Sequence, residues 1–182
     1  MKKLILMFSF FSSVMAFSQV KWMTMNQALE AQKKSPKKIL IHFYAQWCSM
    51  CKKMENHTYT NPEIAKYIND NYYAVKFDAE GGEKVEYQGK IFENPTYDPN
   101  RKIKYGGNGS YNQFASLMNI RSYPTMVILD ESSEYITNFI GYFNPKAVEP
   151  YLAVIATDAY KNITSKELWE QYVEKFQHKV KE

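Results

Sequence analysis

The sequence predicts an α/β fold, a three-layer sandwich in which a central mixed sheet is covered by helices on both faces. Three observations predict it. Ile39-Leu40-Ile41-His42-Phe43-Tyr44 is a short, mostly apolar and β-branched run, the pattern of a strand buried on both faces. Asn61-Pro62 and Asn144-Pro145 each place a capping Asn before a proline at the first helical position, a strong helix start. The order of elements, a strand, a helical crossover and a second strand, then a helix and a two-stranded hairpin, is that of a mixed sheet.

In chain order, Thr24 caps a helix to which Gln27 reaches back, and Ser35-Pro36 stops it. The central strand follows, then a segment rich in helix formers from Trp47 to Glu55, a helix after Asn61 with Ile64, Ala65 and Ile68 on one face, and a strand from Tyr73 to Asp78. Residues 79–109 break the pattern. They hold most of the glycines together with Pro95 and Pro99, and read as an insertion, a loose hairpin or ordered loop; loops this long are usually functional. Ser110–Met118 reads as a short helix, Thr125–Leu129 and Tyr135–Ile140 as strands around a turn at Asp130–Ser133, and Asn144 opens a helix toward Tyr160 that contains Pro150. Thr164-Ser165-Lys166-Glu167 is a capping box for a last helix reaching about Val180, a C-terminal extension over 161–182.

Residues 1–18 read as a cleaved signal peptide rather than as part of the domain spanning 19–160. Lys2-Lys3 precede an apolar run, Leu4 to Phe17, that is shorter than the roughly 20 residues of a membrane span, and Ala16-Phe17-Ser18 offers a cleavage site. The expected setting is a bacterial periplasm, with cleavage near Ser18. The formal charge of +4 includes Lys2 and Lys3, and the lysine stretches 33–38 and 52–53 are short and interrupted. Nucleic acid is therefore not an expected partner, and the charge reads as a solvated surface.

The two cysteines, Cys48 and Cys51, stand three apart at a helix start. A thiolate at a helix N-terminus is favoured by free N–H groups and the positive dipole end. Cys48 is the expected attacking thiolate and Cys51, one turn further in, the resolving one. Zinc is disfavoured, since His42, His57 and His178 are scattered and no second Cys-x-x-Cys half exists. A structural bridge closing so small a loop would remove little entropy from the unfolded chain. Redox exchange is the preferred reading, with no cofactor beyond the Cys48–Cys51 disulfide and no metal.

Phe43 to Lys52 resembles the active-site segment of the thioredoxin-like superfamily, and Ser122-Tyr123-Pro124-Thr125 resembles its cis-proline loop. Cys51–Glu55, Thr58–Ile64 and Val75–Asp78 are more specifically similar to the periplasmic C-terminal domain of the thiol:disulfide interchange protein and related exported proteins. The likeness covers about 38–78 and 110–156 and leaves out the insertion and the last helix. It implies a thioredoxin-like sandwich and a protein-disulfide reductase or interchange activity. It also implies disulfide-bearing protein substrates and an upstream donor such as a membrane thiol:disulfide interchange protein; a monomer is expected. By position, Trp47 would flank the reactive sulfur, Pro124 would hold a cis peptide (a trans turn proline being the alternative), and the backbone of Tyr123 would face a substrate strand. Gly141 would serve packing.

Two positions depart from the family. His42 stands where the superfamily has a buried carboxylate that handles the resolving cysteine's proton; it either takes that role or is a core histidine tied to backbone, the latter preferred. Lys76 matches a partly buried family lysine or is an ordinary strand-end lysine. Ser49-Met50 replaces the family's Gly-Pro between the cysteines, which leaves the redox direction open, the interchange-like stretch favouring reduction. Two other readings remain: a binding or chaperone-like accessory module using the 79–109 insert, and a disulfide oxidase or isomerase.

Overall fold

In a computed structural model the described residues are 19–100, 106–107 and 109–181. The signal peptide expected over 1–18 lies outside them, as do 101–105 and 108 within the insertion. The elements in chain order are β1 (Trp22–Met23), α1 (Met25–Lys34), β2 (Lys38–Tyr44), α2 (Ser49–His57), α3 (Pro62–Asn71), β3 (Tyr72–Asp78), β4 (Val85–Tyr87), β5 (Lys90–Phe92) and α4 (Gln113–Leu117). Then come β6 (Thr125–Leu129), β7 (Tyr135–Ile140), α5 (Pro145–Ala156), a 3-10 turn at Ala159–Asn162 and α6 (Lys166–Lys175).

Five strands form one sheet in the order β1-β3-β2-β6-β7. β1 and β2 run parallel to β3, while β6 is antiparallel to β2 and β7 to β6. β2 is thus central, and its alternating side chains feed two separate cores. Ile39, Ile41 and Phe43 pack with α1, α4 and the β4–β5 hairpin around Phe114. Leu40 packs on the opposite face with Met54 of α2, Ile64 and Ile68 of α3, and Val148 and Leu152 of α5. This is the sandwich expected from the sequence.

The capping signals act as read: Thr24 and Gln27 make a reciprocal capping box, and the side chains of Asn61 and Asn144 accept from the first-turn N–H groups of α3 and α5. Four details differ. β1 was not anticipated; two residues carry no periodicity, and its pairing with Ala74 and Val75 is long-range. α4 begins only at Gln113, because Asn112 caps it and Ser110 is bonded to Asn94. The cap of α6 is Ser165, one residue later than expected. α6 stops at Lys175 rather than near Val180, because the buried carboxylate of Glu149 accepts the backbone N–H groups of Lys179 and Val180 and the tail crosses α5 extended.

The insertion contains an antiparallel hairpin, Val85 opposite Phe92, turned at Gln88-Gly89. Both turn residues have positive φ, 49° and 71°, which the mirror-image two-residue turn requires and which glycine adopts without strain.

Candidate active site

β2 delivers the chain to a tight turn, in which the N–H of Cys48 donates to the carbonyl of Ala45 at 3.0 Å, and α2 starts at once. Cys48 is its N-cap, with extended backbone, and its Sγ accepts the N–H of Cys51 at 3.1 Å. The sequence here lacks the oxygen-bearing residue usual at a helix N-cap, so sulfur takes that place. Negative charge on this atom would meet a donor already in position and the positive end of α2. The two cysteines are disulfide-bonded, Cα to Cα 5.3 Å. Cys51 is fully buried, whereas Cys48 keeps 4% of its surface. The asymmetry favours Cys48 as the outer sulfur, but the opening is narrower than a freely reachable thiolate would have.

Rings make it narrow. Trp47, Tyr44 and Tyr123 pack against Ala45, Cys48 and Cys51. Trp47 and Tyr123 meet edge to face with centroids 5.8 Å apart, and the indole Nε1–H donates to Glu80 Oε1 at 2.9 Å. The peptide bond between Tyr123 and Pro124 is cis. The carbonyl of Pro124 accepts the N–H of Gly141 at 2.8 Å, which ties this loop to the end of β7. Burial pushes the Tyr123 phenol well above its ordinary range, so its hydroxyl stays protonated.

A polar column lies on the α2 side of the sheet. His42 and Lys76 are register neighbours on β2 and β3, and Glu55 of α2 reaches both. Lys76 Nζ is 2.7 Å from Glu55 Oε2; His42 Nε2 is 3.6 Å from Glu55 Oε1, beyond hydrogen-bond length, and has no other partner among the described residues. His42 Nδ1 lies 3.3 Å from the hydroxyl of Tyr59. Tyr59 donating to Nδ1 leaves the imidazole proton on Nε2, facing the carboxylate. Burial lowers the His42 pKa, against the pull of Glu55, so the ring is neutral near pH 7. For Glu55, burial raises the pKa, but the contacts with His42 and Lys76 outweigh it and hold the carboxyl below its usual value. Tyr44 stacks parallel to His42 at 6.2 Å, lies under Lys76 and also packs on the cysteines, so it joins the column to the sulfurs. Its phenol is pushed up to about 12, by burial first and then by nearby carboxylates.

The seven residues singled out in the sequence therefore fall in two adjoining groups. Cys48, Cys51, Trp47, Tyr123 and Pro124 surround the disulfide; His42 and Lys76 belong to the column. His42 is held by side chains rather than by backbone as preferred from the sequence, and Lys76 is half-buried in an ion pair. Glu55, Tyr59 and Glu80 were not anticipated. Glu55 was findable, since it follows Cys51 by four residues and so shares its helix face. Among the described residues no cluster of His, Cys, Asp and Glu is built to hold a metal ion, and no helix is long and apolar enough to cross a membrane.

Such a sandwich, with a Cys-x-x-Cys disulfide at the start of the helix after its central strand and a cis-proline loop beside it, defines the thioredoxin class. The family model for the thioredoxin-like domain matches residues 25–156, and the chain belongs to that family. It is 31% identical over 119 residues to the thioredoxin-like protein YneN of Bacillus subtilis, covering 64% of each chain. Over 55 residues it is 36% identical to the thiol:disulfide interchange protein DsbD of Escherichia coli, covering 30% of this chain and 9% of that protein. The chain thus spans less than two thirds of either relative. Among solved structures, a thioredoxin-fold protein from Helicobacter pylori superposes with a TM-score of 0.56 at 19% identity, covering 87% of this chain and 89% of that one, a likeness of fold.

Proposed function

We propose that this protein is an exported thiol–disulfide oxidoreductase that reduces or exchanges disulfides of extracytoplasmic proteins. The observation that carries the reading is Cys48 at the N-cap of α2, its sulfur already accepting the N–H of Cys51.

In the reduced protein the Cys48 thiolate attacks one sulfur of a substrate disulfide. The S–S bond breaks, the second substrate sulfur leaves as thiolate and takes a proton, and a mixed disulfide joins Cys48 to the substrate. Cys51 then loses its proton and attacks Cys48 Sγ, which forms the intramolecular disulfide and releases the remaining substrate thiol. Two electrons pass to the substrate, and an upstream dithiol, of the kind a membrane thiol:disulfide interchange protein presents, returns them to Cys48–Cys51.

The polar column supplies a place for the Cys51 proton. Ionised Glu55, one helical turn beyond Cys51, is the acceptor, and His42, whose Nε2–H faces that carboxylate, helps to orient it. Lys76 holds Glu55 in place. The backbone of Tyr123, ahead of the cis bond, would pair with a substrate strand by edge addition. The leader-like sequence of residues 1–18, whose charged start and apolar run match an export signal, supports periplasmic residence. A relative named for thiol:disulfide interchange supports disulfide exchange as the activity.

The test is turnover of insulin disulfides with dithiothreitol as donor. The wild type is expected to reduce insulin and Cys48→Ser to fall to the uncatalysed rate; equal turnover by the variant defeats the reading. The reduction potential against glutathione decides between reductase and oxidase roles.

A further inference from the structure

We propose that the segment following β3 is a brace that sets the position of Trp47 over the reactive disulfide, with Glu80 as the positioning residue that joins the two. The proposal rests on the disulfide-exchange reading above and adds a role for the insertion within it.

The two residues before Cys48 each donate to a carboxylate, one from Asp78 at the end of β3 and one from Glu80 just beyond it. Gln46 Nε2 donates to Asp78 Oδ2 at 3.1 Å, and Trp47 Nε1 to Glu80 Oε1 at 2.9 Å. Glu80 is itself fixed from behind. Its N–H donates to Asp78 Oδ1 at 3.0 Å, and its carbonyl accepts from Asn94 Nδ2 at 3.1 Å and from Ser110 Oγ at 3.3 Å. Asn94, which is buried, also donates to the carbonyl of Gly81 and to Ser110 Oγ, so one amide ties the start, the middle and the end of the insertion together. Asn112 closes the loop, its N–H donating to the carbonyl of Ala79 at 2.8 Å and its amide to that of Glu83 at 2.8 Å.

Gly107 completes the seat of the carboxylate. Its φ is +82°, and a Cβ there would stand 2.6 Å from Glu80 Oε1. Only glycine combines that backbone with room for the carboxylate.

Asn94, Ser110 and Asn112 are buried, and buried polar networks fix geometry because each member left unpaired is costly. What they fix is one wall of the opening to Cys48, where Trp47 meets Tyr123 edge to face. An indole held in place presents a constant lip to an incoming protein strand; released, it swings across the opening or away from it. The expected consequence is in recognition of protein disulfides more than in the exchange step itself.

The experiment compares the full chain with Glu80→Ala, Glu80→Gln, Asn94→Ala, Trp47→Phe and the Glu80→Ala/Trp47→Phe double variant, with thermal melts to establish folding. Two quantities are read: KM and kcat for insulin reduction, and the change in tryptophan emission between oxidised and reduced protein. Glu80→Ala is expected to raise KM about fivefold to tenfold, the scale of one ordinary hydrogen bond, with kcat changing less, and to alter the emission difference. Glu80→Gln keeps an acceptor oxygen and should restore both. Asn94→Ala, which touches neither the indole nor a sulfur, should move both in the same direction by a smaller amount. Trp47→Phe removes the donor and keeps an apolar ring, so adding Glu80→Ala to it should cost nothing further. Additive effects of the two substitutions, or wild-type KM and emission difference in both Glu80→Ala and Asn94→Ala, would overturn the proposal. Should Glu80→Ala fail to fold, Trp47→Phe and Asn94→Ala test the same bond from its other side. A wild type that does not reduce insulin defeats the redox reading instead, and the emission difference still reports on the brace.

Discussion

β2 buries a basic side chain near each of its ends, and the two are treated in opposite ways. At its start, Lys38 is buried and paired twice, 2.6 Å from Glu131 and 3.0 Å from Asp158, which anchor the turn after β6 and the end of α5. Toward its other end His42 is fully buried, yet Nε2 stops 3.6 Å short of Glu55 and has no other partner among the described residues. The Lys38 ammonium is hydrogen-bonded to Glu131 and lies against the Asp158 carboxylate, and this ion pair fastens the fold. A buried titratable group with one unfilled position, linked through the Tyr44 ring to the cluster that holds the disulfide, is suited to moving a proton. The same strand thus carries a fastener at one end and a reactive site at the other, and the site accepts the less stable arrangement.

The comparison breaks most sharply on the reactive side. Cys48→Ser should abolish insulin reduction, while the urea midpoint of its reduced form stays close to that of reduced wild type. His42→Leu is next: the step in which Cys51 resolves the mixed disulfide should slow by about tenfold, because Glu55 loses the polar group that faces it, as read by stopped-flow release of substrate thiol. Stability should change by only about 1 kcal/mol, since removing the unsatisfied Nε2 offsets the loss of the acceptor that Nδ1 offers the buried Tyr59 hydroxyl. Lys38→Met should do the reverse. It leaves two half-exposed carboxylates that rehydrate, so a loss of about 1–2 kcal/mol in urea unfolding is expected, below the range for a fully buried pair, with activity of the folded protein intact.

The smallest effect is in pH, and it separates the two ends. His42 has its pKa lowered in the fold by burial, so the unfolded chain binds the proton first. Stability should therefore decline as pH falls through the ordinary histidine range near 6.5, and His42→Leu should flatten that decline. Glu55, also lowered once its partners outweigh burial, adds a further decline below about pH 4.5. At Lys38 burial opposes the charge, but the hydrogen bonds of Glu131 and Asp158 prevail and raise its pKa. Its contribution is complete below the unfolded value near 10.5 and is lost as pH rises through the folded one. Urea midpoints across pH 4 to 11 would show acid loss tied to His42 and Glu55 and alkaline loss tied to Lys38.

The two regions were not equally legible in the sequence. The central strand, the helix starts at Asn61 and Asn144 and the Cys-x-x-Cys pair are local signals: apolar runs, caps and spacing that act within a few residues of themselves. β1 and the extended tail near Val180 depend on partners far along the chain, Ala74 and Glu149, and left no periodic mark. The site divides the same way. Cys48 and Trp47 could be read in one segment, and Tyr123 and Pro124 in another. Glu80 gains its meaning only when the insertion folds back on Trp47, and Tyr59 only when it is laid against His42. Resemblance placed His42 at the position of a family carboxylate, but the carboxylate this chain supplies comes from α2, at Glu55.

The most direct test is covalent capture. Reduced Cys51→Ala protein mixed with oxidised glutathione should gain one glutathione by intact mass, mapped to Cys48, because the outer sulfur attacks and nothing resolves the product. Reduced Cys48→Ala protein under the same conditions should remain unmodified. Equal modification of both variants, or none of Cys51→Ala, would contradict the assignment of Cys48 as the attacking sulfur.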